Sequence, residues 1–207
     1  MNRTHAYPLS YRALGQWLVV AFAALILVGC SAPPDQEESD AIAAVNAARD
    51  AEAERFAPAE LGRATESLDR ANEEKAKQDK RFRLFRSYGT AKEMYIETRN
   101  LGVAARDAAV RGRGERGAQS QRMLDLAVRS VEACSDTLAG APTGKGTKVD
   151  IAMFREDIAE LSGRIPAIQP LIDRGDFDTA DSLSAVISRD ATDLQTRILN
   201  ASRKPKP

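Results

Sequence analysis

Apolar residues recur along most of this chain at the three- and four-residue steps of amphipathic helices. The first such run begins at Ala41 and is predicted to end at Phe56-Ala57-Pro58, because the residue before a proline disfavours the helical conformation. The next run alternates steps of three and four, the spacing of a coiled coil, at Leu61, Ala64, Leu68 and Ala71. We refer to each such line of apolar residues as a seam.

The same alternation continues through the middle of the chain. A third helix is predicted to begin near Ser87 to Thr90, where Thr90 and Glu93 have capping-box spacing, and to lie antiparallel to the helix that carries Leu61. The glycine-rich sequence at 111–117 predicts a break in the helix. The seam of a fourth helix follows at Leu124, Ala127, Val131, Cys134 and Leu138. Cys134 is therefore expected to behave as a small buried hydrophobic residue.

A bulkier seam marks the last part of the chain. Its residues are Ile151, Phe154, Ile158, Leu161, Ile165 and Ile168. Pro166 and Pro170 predict a kink or a short break, because each proline removes a backbone donor. Gly175 and Asp176 predict the end of one helix and the cap of the next. The final helix has its seam at Phe177, Ala180, Leu183, Ile187, Ala191, Leu194 and Ile198.

These runs predict an all-α fold of antiparallel helical hairpins, arranged as an elongated, coiled-coil-like helical bundle. The predicted divisions are a first helical region of about four helices at 41–139, a flexible connection at 140–147, a second helical hairpin at 148–202 and a basic tail at 203–207. The sequences Tyr88-Gly-Thr-Ala91 and Phe177-Asp-Thr-Ala180 occupy corresponding places in two hairpins, which suggests that one hairpin was duplicated.

The amino-terminal segment departs from the helical pattern. Arg3 and Arg12 precede an uncharged apolar run from Trp17 to Val28, which is the layout of an export signal and is short for a membrane span of about 20 residues. At the end of this run, Leu27, Val28 and Gly29 directly precede Cys30. In these residues the segment resembles the lipobox of bacterial lipoprotein signal peptides. The alternative is a plain signal anchor in which Cys30 is incidental.

The lipobox resemblance implies that residues 1–29 are a cleaved signal peptide and that the Cys30 thiol receives a diacylglyceryl group. A further acyl chain such as palmitate is usually added to the new amino terminus, and two or three chains are needed for durable membrane binding. Residues 30–40 then form a lipidated cysteine and a polar, proline-bearing tether. Ser31 stands where an Asp retains well-studied lipoproteins in the inner membrane. The resemblance therefore implies the outer membrane, with the folded part in the periplasm.

Removal of residues 1–29 changes the chemical inventory. It takes away two of the 30 basic residues and none of the 30 acidic ones, so the mature chain has a net charge of −2. It also takes away the only histidine, His5, and the only tryptophan, Trp17. Histidine is the commonest general base near neutral pH and the commonest transition-metal ligand. We therefore expect no enzyme, no metal site and no cofactor, with a carboxylate-based wall hydrolase as a remote alternative.

A basic cluster interrupts the helical pattern between residues 75 and 86, where it is interleaved with Phe82, Leu84 and Phe85. Its members are Lys75, Lys77, Lys80, Arg81, Arg83 and Arg86. One hypothesis is that the cluster binds peptidoglycan or anionic lipid headgroups. The favoured alternative is a connection between helices, in which the aromatic side chains pack against helix ends and the basic ones face water. Nucleic acid is not expected as a partner of an exported protein.

Residues 41–110 resemble a family of small helical envelope lipoproteins of unknown function. The family pattern is an alanine-rich first helix, an Ala-Pro followed by alternating Leu and Ala, and an aromatic residue with alanine three residues later. The matching residues are Ala57, Pro58, Leu61, Ala64, Leu68, Ala71, Tyr88 and Ala91. Arg86-Ser87 replace the Gly-Asp that the family usually has at the turn. The family implies no catalytic residues.

The combined expectation is a lipid-anchored envelope protein with a structural, scaffold or protein-interaction role. A thin Leu/Ala seam stabilises a helix pair less than a bulky core does. Self-association or an envelope protein partner is therefore expected, with peptidoglycan as a further candidate partner.

Overall fold

The computed structural model describes residues 32–141 and 148–203. The signal segment 1–29, including Leu27, Val28 and Gly29, lies outside the described residues, as do Cys30, most of the predicted connection at 140–147 and most of the tail at 203–207. The helices are α1 (Asp35–Asp50), α2 (Ala53–Phe56), α3 (Pro58–Asp79), α4 (Gly89–Ala139), α5 (Lys148–Arg164), α6 (Gln169–Asp173) and α7 (Phe177–Arg203). Two 3-10 turns lie at Arg83–Phe85 and Ile165–Ala167. The all-α prediction is confirmed.

Contacts divide the chain into two compact units, Met1–Val110 and Arg111–Pro207. The division falls inside α4, whereas the sequence predicted a connection between helical regions at 140–147. The predicted break at 111–117 is wrong, because α4 continues through this stretch and joins the predicted third and fourth helices. A glycine in a helix interior costs only about 1 kcal/mol relative to alanine.

The start of the folded chain also differs from the prediction. Helix α1 begins at Asp35 and not at Ala41, so the last residues of the predicted tether are helical. Asp35, Glu37 and Glu38 occupy its first turn, where acidic side chains interact favourably with the helix dipole. Helix α1 ends at Asp50, before the predicted end at Phe56.

Two further helix boundaries are the one between α1 and α2 and the start of α4. Glu52 adopts a left-handed backbone conformation with φ of 61°, which separates α1 from the single turn of α2. Helix α4 begins at Gly89, within the predicted range of Ser87 to Thr90. The predicted cap at Thr90 is wrong, because Thr90 lies inside the helix and the Lys92 N–H donates to the Tyr88 carbonyl at 2.9 Å.

Unit 1 packs α1, α3 and the first part of α4 around a core that consists largely of alanine. The Tyr95 hydroxyl donates to Asn72 at 2.8 Å, and the hydroxyls of Ser67 and Thr98 lie 2.8 Å apart. Contacts therefore move back along α3 as they advance along α4, which confirms the antiparallel prediction. The buried core side chains include Ala41, Val45, Ala48, Leu61, Ala64, Ala71, Ala91, Tyr95, Ala105 and Ala109.

Unit 2 is built from the rest of α4 together with α5, α6 and α7. Arg197 pairs with Asp157 at 3.5 Å and Arg164 with Asp190 at 3.6 Å, so α5 and α7 are antiparallel. The core has larger side chains than that of unit 1, among them Leu124, Cys134, Phe154, Leu161, Ile168, Ile187, Leu194 and Ile198.

The predicted interruptions of unit 2 are also confirmed. Pro166 lies in a 3-10 turn, and Pro170 is the second residue of the short α6. Gly175 has φ of 83° and separates α6 from α7. Tyr88 and Phe177 are both buried at the start of a long helix, as the predicted correspondence between the hairpins requires.

Candidate functional site

Lys75 lies inside unit 1 and takes no part in an exposed basic surface. Its side chain is 21 % exposed, and its Nζ lies 3.3 Å from Asp35 Oδ1 and in closer contact with the Glu38 carboxylate. The hydrogen bond to Glu38 raises the pKa of Lys75, against the opposing effect of burial. Lys75 therefore fastens the first turn of α1 to the last part of α3.

A second ion pair holds the same end of α1. Lys92, three residues after the start of α4, lies 2.8 Å from Glu37. The hydrogen bond from Lys92 lowers the pKa of the Glu37 carboxyl. The first turn of α1 is thus tied to the end of α3 and the start of α4, which flank the connection between those two helices.

Two more residues of the predicted basic cluster have local partners. Lys77 is exposed and lies 3.7 Å from Glu74. Arg86 folds back over the end of α3, where its guanidinium donates to the carbonyl oxygens of Asp79 at 2.8 Å and Arg81 at 3.0 Å. The Asp79 carbonyl belongs to the last turn of α3, where carbonyl oxygens have no partner within the helix, so Arg86 acts as a side-chain cap.

Ser87 and Tyr88 also contact the end of α3. Together with Arg86 they form what we call the base of the connection between α3 and α4. The Ser87 N–H donates to Gln78 Oε1 at 3.3 Å. The Tyr88 hydroxyl donates to the Asp79 carboxylate at 2.5 Å, and this bond raises the pKa of Tyr88. The base is therefore held by hydrogen bonds from the side chains of Arg86 and Tyr88 and from the backbone N–H of Ser87.

The remaining residues of the cluster form what we call the tip, residues 80–85. Lys80, Arg81 and Arg83 are exposed, and within the described residues none of them forms an ion pair. Phe82, Leu84 and Phe85 are 69, 60 and 73 % exposed. The expectation that these aromatic side chains pack against helix ends is therefore wrong. The structure brings three basic and three large apolar side chains together in one exposed turn.

The tip itself is a closed turn. The Phe85 N–H donates to the Phe82 carbonyl at 2.8 Å, and the two phenyl rings lie 6.3 Å apart between centroids. The sequence contains these residue types, but spacing alone could not show whether they are packed. The acidic first turn of α1, which anchors the base of this region, lies in the stretch that the sequence predicts to be a tether.

Cys134 lies in the core of unit 2, as its seam position predicted. It is a free cysteine without solvent exposure, and burial raises the pKa of its thiol. A disulfide-linked dimer through Cys134 would therefore require unit 2 to open.

Unit 2 also contains an ion-pair arrangement that spacing did not predict. Arg116 lies 2.8 Å from both Asp178 and Asp181, and its guanidinium carbon is 5.9 Å from the centre of the Phe177 ring. These contacts join α4 to the first turn of α7, so the three charged side chains have a structural role.

Within residues 32–141 and 148–203, no cluster of three His, Cys, Asp or Glu side chains is placed to hold a metal ion. No helix in that part of the chain is long and apolar enough to cross a membrane. Comparisons of the chain with protein-family models, curated proteins and solved structures give no match.

Proposed function

We propose that this chain is a lipid-anchored protein of the bacterial envelope, with a structural or protein-interaction role and no catalytic activity. In this proposal, acyl chains on Cys30 hold it in the outer membrane and the helical units lie in the periplasm. The observation that carries the proposal is the short path from the lipobox to the folded chain. Helix α1 begins at Asp35, five residues after Cys30, and its first turn is held by ion pairs to Lys75 and Lys92.

This arrangement suits a protein that works close to the membrane surface. Five residues of chain span at most about 18 Å, so Cys30 lies within that distance of Asp35. Unit 1 would consequently sit near the membrane that holds the lipid. A long flexible tether, which would let the folded part reach distant targets, is not part of this proposal.

Self-association is the second part of the proposed role. The unit 1 core consists largely of alanine, which buries little apolar surface per residue. Helix α4 also exposes Ile96, Val103 and Val110 at seven-residue intervals, the repeat of a coiled-coil face. We expect this face to pack against a second copy or an envelope protein. Sedimentation of the mature chain that stays monomeric at tens of micromolar, with and without envelope extract, would contradict this expectation.

Binding of anionic envelope polymers or lipids is a second candidate function. The exposed Lys80, Arg81 and Arg83 favour it, whereas Lys75 and Arg86 are engaged within unit 1. Pull-down on purified peptidoglycan tests the polymer. The wall-hydrolase alternative has less support. Hydrogen bonds from Lys92 and Thr179 lower the pKa of the Glu37 and Asp176 carboxyls, whereas the general acid of a glycosidase needs a raised pKa. A zymogram on peptidoglycan tests it.

The anchor is tested by expressing the full chain in bacteria with labelled palmitate. The wild type should incorporate label and fractionate with the outer membrane, and Cys30→Ala should lose the label. Cys134→Ala is the matched control, because it removes the other cysteine and should keep the label. Label that persists in Cys30→Ala would show that another residue is acylated and would contradict Cys30 as the anchor, and mass spectrometry of the mature amino terminus would identify the processing site.

A further inference from the structure

The tip carries a concentration of exposed apolar side chains that is unusual within the described residues. Phe82, Leu84 and Phe85 fall within four consecutive positions and are all more than half exposed. Other large exposed apolar side chains, such as Leu126 and Met153, occupy single positions on helices. Single exposed apolar residues are normal, whereas contiguous ones mark contact surfaces. The tip is therefore a candidate contact surface.

The exposure belongs to an ordered turn. Arg86 caps the end of α3, Tyr88 is buried and bonded to Asp79, and the Phe85 N–H closes the turn on Phe82. Because these contacts hold both ends of the tip, its apolar side chains are presented to the surroundings by the fold. Such presentation is the preorganisation that lowers the entropic cost of binding.

The charge of the tip identifies the chemistry of the partner. Lys80, Arg81 and Arg83 alternate with the apolar side chains and form no ion pair within the described residues. Basic side chains interleaved with Phe and Leu match the interface of an anionic bilayer, where headgroups take the charge and the acyl boundary takes the rings. The long basic side chains can reach the headgroups while their neighbours enter more deeply.

The position of the tip in unit 1 agrees with this partner. The ion pairs of Asp35 with Lys75 and of Glu37 with Lys92 place the start of α1 beside the two helix ends that carry the tip. Five helical residues, about 8 Å, separate Lys75 from Lys80. Cys30 is at most about 18 Å from Asp35. The start of α1, which follows the proposed anchor by five residues, and the tip are therefore at the same end of unit 1.

We propose that the tip is a second membrane contact, in which Phe82, Leu84 and Phe85 insert into the interface of the anionic bilayer that holds the Cys30 lipid. The location rests on the proposed lipid anchor, while the affinity of the tip for anionic lipid does not. Insertion would give unit 1 two attachments at one end and so restrict its orientation on the membrane.

The test uses the mature chain, residues 30–207, with Cys30→Ser, because the described fold begins at Ala32. This chain has no tryptophan, since the only one is Trp17. Phe85→Trp therefore introduces a single fluorescent reporter at the tip, and Leu126→Trp provides an exposed reporter on α4. The probes are vesicles of phosphatidylethanolamine with phosphatidylglycerol, compared with vesicles of phosphatidylcholine alone.

With the anionic vesicles, the emission of Phe85→Trp should shift to shorter wavelength and be quenched by brominated acyl chains. The emission of Leu126→Trp should not change. In co-sedimentation, Phe82→Ser should weaken vesicle binding by about tenfold, the usual effect of losing one buried phenyl group. Arg81→Ser with Arg83→Ser should remove the preference for anionic vesicles. Arg63→Ser with Arg70→Ser changes the net charge equally and should leave binding unchanged.

Three results would overturn the proposal. The first is vesicle binding that depends on Arg81 and Arg83 without a shift or quenching of the tip reporter, which means surface attraction alone. The second is binding to peptidoglycan and not to vesicles. The third is tip-dependent capture of a protein without vesicle binding. If Cys30 is not lipidated in cells but the tip inserts into vesicles, the proposed anchor is wrong and the proposed role of the tip still holds.

Discussion

Helix α4 passes α1 so closely at Gly102 that a Cβ atom there would lie 2.8 Å from the carbonyl carbon of Ala44. The obstructing atoms include backbone, so neither helix can relieve the contact by a rotamer change. Gly102→Ala should therefore destabilise the protein by about 1–3 kcal/mol, the usual cost of overpacking a close helix contact. The measurement is the urea midpoint of the mature chain followed by circular dichroism.

Gly62 on α3 provides the control for this substitution. A Cβ atom at Gly62 meets nothing within 4 Å. Gly62→Ala should therefore raise stability by about 0.5–1 kcal/mol, because alanine is the better helix former. A destabilisation of equal size in both variants would mean that the α1–α4 contact is not as close as the structure has it.

The continuity of α4 gives a second prediction. Gly114 lies in the stretch where the sequence predicted a break, and a Cβ atom there meets nothing within 4 Å. Gly114→Ala should stabilise the chain by about 1 kcal/mol if the stretch is helical. Gly114→Pro should cost about 3 kcal/mol or more, because proline removes a helical hydrogen bond and clashes with the preceding turn. If both substitutions leave the urea midpoint unchanged, the stretch is a loop.

Gly114 and Gly102 show what the sequence could and could not predict. The apolar seams were predictable, because the spacing of residues such as Leu124, Val131 and Leu138 is a local property of the helix. The helix through 111–117 was not, because glycine signals a break locally while tertiary packing and neighbouring helix formers keep the helix intact. Similarly, Gly102 is set by its distance to Ala44, which no periodicity reveals.

The tip was predictable in its composition and not in its exposure. Interleaved Phe82, Phe85 and basic residues were visible in the sequence, but whether rings pack or remain exposed depends on where the two flanking helices end. Lys75 illustrates the same limit. In the sequence it is part of a continuous basic cluster, and only the structure shows that it pairs with Glu38 in the first turn of α1.

Glu52 provides a prediction about backbone conformation. Its φ of 61° is in the left-handed region, which costs a residue with a Cβ atom about 1 kcal/mol relative to glycine. Glu52→Gly should therefore be more stable than Glu52→Ala by about that amount. Comparison with alanine is the appropriate control, because both variants lose the glutamate side chain and its interactions. Equal urea midpoints for the two variants would exclude the left-handed conformation.

The burial of Cys134 predicts an unreactive thiol. The thiolate is the reacting species, and burial both raises the pKa of Cys134 and blocks access to it. In the mature chain with Cys30→Ser, maleimide labelling should be on the order of 100-fold slower than in urea-unfolded protein, because it requires local opening. Leu126→Cys in a Cys134→Ala background places a thiol at a half-exposed position and should label rapidly. Fast labelling of native Cys134, or a disulfide-linked dimer on a non-reducing gel, would contradict its position in the core.

The Lys75 ion pair predicts a specific loss of stability at alkaline pH. The hydrogen bond from Lys75 to Glu38 raises the lysine pKa above its ordinary value of 10.5. The stabilisation by this pair is therefore complete below pH 10.5 and is lost as the pH rises through the higher pKa of the folded state. At pH 8 we expect Lys75→Met to be less stable than wild type by about 1–2 kcal/mol, between the values for exposed pairs and charged hydrogen bonds. This difference should shrink as the pH rises above 10.5.

Two features of unit 1 make the comparison between variants necessary. The pKa values of Tyr88 and Tyr95 are also raised, by the hydrogen bond to Asp79 and by burial respectively, so wild type and variant both lose stability as these tyrosines ionise. The difference between the two proteins at each pH isolates the contribution of Lys75. Lys77→Met is the matched control, because the Lys77 side chain is exposed and its contact with Glu74 is 3.7 Å. Its effect should be small at every pH, and a Lys75→Met difference that stays constant to pH 12 would show that packing of the lysine stem, and not its charge, holds α1 in place.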